Sequence, residues 1–540
     1  RSAQADLTGE FADALDVDTE FVTGVNAATD IAFAADGRAV VTQKSGQITV
    51  RRTDGTKNVV MGAFGDVDTQ SEKGLLGVVA HPSEENTFFF YVSNGDSNGD
   101  KHRVYKGSLG DDDSITVDLD NPIIAASVGN GPGLEGPANH DGGGLFIHDN
   151  HLFVGVGDTG SNSTPPSNKY SSCLNKGNGK ILRVALDGSV PSDNPLVGVD
   201  DVTACDEVRG DWGTDAPDER VYAWGFRNPW RFWIDPHSNR MWVGDVGETT
   251  REEVSVSAPT GDGWMGEHFG YPFVEGTEDY GDLDGVSCDD GFSPERECVG
   301  PVHDYGRTEG TCVIGGIIPE GCGWNDAFGG TLYYFFADFS AAWIHALEVN
   351  PDRSGAVSGD AVEAGSFTGS GPASIRQGPG GAMYVVMNGG GAVYEIKPKN
   401  QTGDDCQSMG GSGGTGGTGA TSGSGGDGGE PEAGTSGGGT GGAATAGRGG
   451  SSAGSAGRGG SSGSAGRGGS GTSGSSGTTG TAGSNAGAGG GSGGGENPDE
   501  DEGCGCRVVG TQQGSLAALF GALGLAGAAF FRRRSRSPKA

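Results

Sequence analysis

The chain has 540 residues and a net charge of −36, from 71 acidic against 35 basic side chains. That balance excludes a nucleic-acid-binding protein, which needs a clustered cationic face. Residues 402–495 are almost wholly Gly, Ser, Thr and Ala with no aromatic side chain. Such a stretch buries too little apolar surface to offset its ordering entropy, so the foldable part is confined to roughly residues 15–400.

The chain opens at Arg1 with no basic-then-apolar leader, which reads as a trimmed mature chain. After an extension over 1–20, short apolar strands alternate with Asp-Gly or similar turns. Ile31-Ala32-Phe33 passes through Asp36-Gly37 to Ala39-Val40-Val41 and on to Ile48-Thr49-Val50. The rhythm returns in 75–80 with 87–92, in 145–147 with 152–154, and in 232–234 with 241–243. It returns again in 331–336 with 343–347, and in Ile375 with 383–386. Six repeats of about 50–65 residues, with almost no helical periodicity, predict an all-β six-bladed β-propeller over 21–400. A pair of β-sandwiches is the alternative.

Of nine cysteines, six fall in this part. Cys173 and Cys205 flank a polar insertion, and Cys288 with Cys298 and Cys312 with Cys322 sit ten apart. Local pairs suit an oxidising compartment, and three short-range disulfides are expected, although connectivity does not follow from spacing.

Beyond the propeller, 401–498 reads as a disordered linker and 499–540 as a tail. About 95 flexible residues give a mean reach of about 50–60 Å. The linker's three Arg-Gly-Gly repeats read as spacer. In the tail an acidic run and Cys504-Gly505-Cys506 precede an apolar stretch, 515–531, and the cluster Arg532-Arg533-Arg534. Short apolar run and terminal arginines fit a membrane-associated helix with a cytoplasmic basic stop.

Several motifs carry no chemistry. Gly155 to Gly160 fits G-x-G-x-x-G, but Pro165-Pro166 follows where a dinucleotide site needs a helix. Gly410 to Gly414 fits G-x-S-x-G inside the linker, with no strand–turn–helix to strain it. The acidic loop 279–290 lacks the spacing of an EF-hand and reads as a solvated turn.

Two clusters are better candidates. Asn139-His140-Asp141-Gly142-Gly143-Gly144 is followed, one strand pair later, by Asp158. A histidine can remove a hydroxyl proton, and a carboxylate can fix its tautomer. A solvated turn histidine is the plain alternative. Gly225-Phe226-Arg227-Asn228-Pro229 precedes Gly244-Asp245-Val246-Gly247-Glu248. Arg227 and Asn228 could stabilise charge developing on a carbonyl, and the glycine-rich turn exposes carbonyls suited to calcium. Arg227 could equally lock one blade to the next.

These segments resemble the glucose/sorbosone dehydrogenase family, in order from residue 25 to 398. The resemblance rests on Gly74-Leu75-Leu76-Gly77 with His81-Pro82, His140 to Gly143, Gly157-Asp158, Gly179 to Arg183, Asp193-Asn194-Pro195, Gly225 to Pro229 and Gly270-Tyr271-Pro272. It implies a six-bladed propeller in which pyrroloquinoline quinone (PQQ) and Ca2+ serve oxidation of a sugar hydroxyl, with electrons leaving to an external acceptor. By that match His140 is the base and Asp158 orients it. Arg227 and Asn228 contact the cofactor, and the carbonyls of Gly247 and Glu248 bind calcium. Glu72 and Asn139 face the substrate, with Glu72 standing where a glutamine is usual.

Departures are equally clear. A lysine and two arginines that hold the cofactor's carboxylates in catalytic relatives correspond here to Ser340, Gly371 and Ala373, with Arg376 nearby. The Arg227 to Phe232 segment also resembles hedgehog-interacting-protein-like propellers, which implies a catalytically silent extracellular binding protein as the alternative. The tail resembles myxobacterial-type C-terminal sorting signals, which implies an exported chain at the cell surface.

Overall fold

The structure is a computed structural model. It describes residues 5–401 apart from 95–100, 125–138, 160–166, 206–211, 260–265, 280–297 and 369–370. Cys288, the linker and the tail therefore lie outside the described residues, as does most of the acidic loop at 279–290.

Six antiparallel sheets of four or five strands follow one another along the chain. Their innermost strands are Ala28–Phe33, Leu75–Ala80, Leu145–His148, Pro229–Ile234, Val313–Ile317 and Pro372–Gln377. Ala28–Phe33 and Leu75–Ala80 are buried at every position, whereas Lys57–Val60, the outer strand of the first blade, is mostly exposed. Two buried faces on an inner strand favour apolar residues on both, with Thr29 and Asp30 the buried polar exceptions in the first, which is why these segments lack clean alternation. The apolar core lies between blades: one cluster joins the first and second, another the sixth and first, and the largest spans the rest. The propeller expectation holds. Among the described residues no helix is long and apolar enough to cross a membrane.

The boundary expected at residue 20 is corrected. Leu15–Thr23 pairs antiparallel with Ala392–Pro398 and supplies the outer strand of the sixth blade. Ala5–Leu7 adds a fifth strand to the fifth blade, against Val362–Phe367. Strands within residues 5–23 thus seal the ring instead of extending from it. A ring without this seam would leave the edge of Ala392–Pro398 unpaired.

Buried charge ties the inner strands together across the axis. Arg231, on the fourth blade, donates from Nη2 to the carbonyls of Thr29 and Leu76, both at 2.8 Å, on the first and second blades. Asp30 accepts Nε and Nη2 of Arg376 at 2.9 and 2.7 Å and the Ser374 hydroxyl at 2.7 Å. Burial opposes the Asp30 charge, but Arg376 and Arg231 win and hold its carboxyl below the usual range.

Candidate functional site

The loops at one end of the second, third and fourth blades bring the first cluster together. His140 stands one residue before the glycine run that enters Leu145–His148, and Asp158 follows the partner strand His151–Val156. A hairpin returns its chain to the same end, so both side chains meet there: Nδ1 of His140 lies 2.6 Å from Oδ1 of Asp158. Both residues are buried. The carboxylate can only accept, so Nδ1 carries the proton and Nε2 of the neutral ring is left as a base. Among the described residues Nε2 is buried with no hydrogen-bond partner, and so is Oδ1 of the preceding Asn139.

Close backbone packing fixes this pair. A Cβ on Gly157 would stand 2.0 Å from the His140 carbonyl, so only glycine permits the two loops to touch. The Thr159 N–H donates to that same carbonyl at 3.1 Å. Behind Asp158, Lys180 is fully buried and donates to the carbonyls of Tyr170, Ser171 and Asn178. Burial lowers its pKa well below the ordinary lysine value.

The second cluster is held from below by Asp245. Its carboxylate caps two consecutive amides, Arg227 N–H at 2.9 Å and Asn228 N–H at 2.7 Å. The Arg227 guanidinium is buried, donates from Nη1 to the Val246 carbonyl at 3.1 Å, and leaves Nε without a partner. Burial works against its charge, but Tyr271, Asp158, Glu248 and Glu252 more than offset that and raise its pKa. Asn228 is committed to protein on both sides of its amide. Oδ1 accepts the Gly142 N–H at 3.0 Å, and Nδ2 donates to Glu72 at 3.3 Å.

Glu72 is buried beneath the His140 loop, where its Oε2 accepts the His140 N–H at 2.7 Å. Burial pushes its carboxyl up to about 7. The Gly247–Glu248 turn is organised by Glu275, a residue that no motif in the chain singles out. Its Oε1 accepts the N–H groups of Glu248, Thr249, Thr250 and Arg251 at 2.7, 2.8, 2.9 and 3.0 Å. A Cβ on Gly247 would stand 1.6 Å from the Arg251 carbonyl, so the turn closes only around glycine. Four successive N–H groups thus converge on one carboxylate oxygen. Tyr271, quoted only for its turn, donates its hydroxyl to Oε2 of Glu248 at 2.6 Å. Among the described residues no group of three or more His, Cys, Asp or Glu side chains is arranged to hold a metal ion.

PQQ carries both a reactive carbonyl and several carboxylates, so the fit has two parts. Orphaned Nε2 of His140 and Nε of Arg227 suit the reactive end. The carboxylate end meets no charge at the expected positions. Ser340 donates its N–H to Asp338, Ala373 is buried, and a Cβ on Gly371 would stand 1.7 Å from the Phe339 carbonyl. Arg376 is spent on Asp30. Of the expected disulfides, Cys312 and Cys322 are both buried, while Cys288 and the Cys205 side chain lie outside what is described.

Known proteins place the chain in a family. The glucose/sorbosone dehydrogenase family profile matches residues 25–395. The aldose sugar dehydrogenase YliI of Escherichia coli is 24% identical over 387 residues, covering 68% of this chain and 90% of that protein. The HIPL2 protein of Arabidopsis thaliana is 25% identical over 279 residues, covering 46% of this chain and 35% of its own. A PQQ-bound aldose sugar dehydrogenase from Streptomyces coelicolor superposes with a TM-score of 0.50 at 18% identity, covering 71% of this chain and 98% of that one. The chain belongs to the glucose/sorbosone dehydrogenase family.

Proposed function

We propose that this family member is an aldose dehydrogenase that oxidises a sugar hydroxyl with PQQ and passes the electrons to an external acceptor. The observation that carries the reading is the His140–Asp158 pair at 2.6 Å with Nε2 buried and unpartnered. His140 takes the hydroxyl proton at Nε2. Asp158 holds the ring in the required tautomer and offsets the charge that the ring gains. Arg227 presents Nε to an oxygen on which negative charge develops. Asn139, with Oδ1 unpartnered, is placed to accept a sugar hydroxyl. The cofactor, when bound, supplies the hydride-accepting carbonyl. A calcium ion would be held by the carbonyls of Gly247 and Glu248.

The uncharged Ser340, Gly371 and Ala373 favour a second reading, a surface propeller that binds without turnover. Titrating PQQ into the purified chain with and without calcium, then following dye reduction with a panel of aldoses, separates the two. Calcium-dependent binding with sugar-dependent reduction supports the dehydrogenase. No binding at about 100 μM cofactor, weaker than about −5.5 kcal/mol, sinks it.

We further propose export and tethering through the tail, on the pattern of Cys504, Cys506, the apolar run 515–531 and the arginines after it. Cell fractionation of the chain beside a Cys504→Ser/Cys506→Ser variant tests this. Equal recovery of both in the soluble cytoplasm would end the idea.

A further inference from the structure

Between the first two blades, the connection that ends at Gly74 turns the Glu72 side chain under the loop carrying His140. Glu72 is fully buried, yet it makes no ion pair among the described residues. Its Oε2 accepts the N–H of His140 at 2.7 Å, the N–H of Asp141 at 3.4 Å and Nδ2 of Asn228 at 3.3 Å. Asn228 passes the link on, since its Oδ1 accepts the Gly142 N–H. One carboxylate oxygen therefore joins three connections: the one entering the second blade, the one entering the third and the one entering the fourth. What it holds needs holding, because His140 has φ +60°, a left-handed backbone that a non-glycine residue adopts only under constraint.

We propose that Glu72 is a positioning residue, which acts on the reaction through His140 and Asn228 by fixing the 139–144 loop, and not by contact with the sugar. The inference rests on His140 being the proton acceptor. The charged groups around the carboxyl are His140, Asp141, Arg227 and Lys44. Oε1 has no partner and is the oxygen available to a proton. Oε2 thus keeps its three donors whether the group is ionised or neutral, so acceptor geometry, not charge, does the positioning.

Three variants of the full chain separate these roles. Glu72→Leu keeps the volume and removes the acceptor, Glu72→Asp keeps the charge but withdraws the oxygen, and Glu72→Gln keeps one oxygen in reach. Hydrogen exchange read by mass spectrometry, without cofactor, should show residues 139–144 exchanging at least about tenfold faster in E72L and E72D. Residues 383–387 of the sixth blade should not change, and E72Q should recover most of the protection. Unchanged exchange at 139–144, or acceleration spread evenly over all blades, overturns the proposal. If E72L does not fold, E72D against E72Q makes the same comparison. In turnover, E72D should lose kcat by at least about tenfold with the KM for sugar held within about threefold. A raised KM at constant kcat would make Glu72 a sugar contact and overturn it. A wild-type chain with no turnover under any condition sinks the dehydrogenase reading instead, and hydrogen exchange then decides the role of Glu72 alone.

Discussion

On the side of the central site built by the second, third and fourth blades, Nε2 of His140 and Nε of Arg227 end without a partner, each held by a neighbour at its other end. On the side built by the fifth and sixth blades, Ser340, Gly371 and Ala373 bring no charge, and Arg376 is bound to Asp30. The first side keeps polar atoms available at the expense of their own satisfaction, which stable folding alone would not favour. The second has used its arginine to join blades. Position 371 sharpens the contrast, because the Phe339 carbonyl fills the space that a side chain would need. A lost cation there is therefore a change in backbone packing, which one substitution would not reverse.

The largest expected effect tests the reactive side. Replacing His140 by Gln should lower turnover by roughly 10²- to 10⁴-fold while quinone binding changes by less than about threefold. Dye reduction and fluorescence titration measure the two, and lost binding with unchanged turnover would contradict the role assigned. Next comes the axis. Arg376→Ala leaves Asp30 buried without its main partner and should cost about 3 kcal/mol in urea unfolding. Unchanged stability with weakened quinone binding would instead make Arg376 part of a clamp. A smaller gain is expected from Ser340→Lys, an exposed position. It should tighten quinone binding by about tenfold, an advantage that shrinks at high salt. No gain would favour the silent binder.

A last test concerns pH. Burial raises Glu72 and Asp245 to about 7 and Glu252 to about 8. Each is then protonated in the fold at pH values where the unfolded chain has released the proton. Their contribution is complete below the ordinary carboxylate range and is lost as pH rises through about 7 to 8. The urea midpoint should accordingly fall between about pH 5 and about pH 8. A midpoint that rises across this window would mean that a cation compensates these carboxylates.

Much of this was legible in the chain because it is local. The segments 31–33 and 39–41 announce a hairpin by apolar runs around Asp36-Gly37, and the structure places strands Ala28–Phe33 and Ala39–Gln43 there. His140 and Asp158 flank a single hairpin, so their meeting follows from its geometry. What escaped reading is set by distant contacts. Leu15–Thr23 has the burial pattern of any edge strand, and its partner lies at the other end of the foldable part. Glu275 looks like one more acidic surface residue until the turn at 248–251 folds around it. Arg376 could be named from the sequence, but its capture by Asp30 could not, since that pair forms only where the sixth blade meets the first.

The pairing of Leu15 with Pro398 also sets an order of assembly. Blades of adjacent strands can form as the chain emerges, each from local hairpins. The ring cannot shut until its last strand meets its first, and contacts of such long sequence separation form slowly. Because the oxygen of Glu72, the His140 loop and Asn228 come from the connections entering the second, third and fourth blades, the pocket needs those three blades docked together and no single blade can make it. A protease that trimmed residues 15–23 would strip the outer strand from the sixth blade and open the ring at its seam.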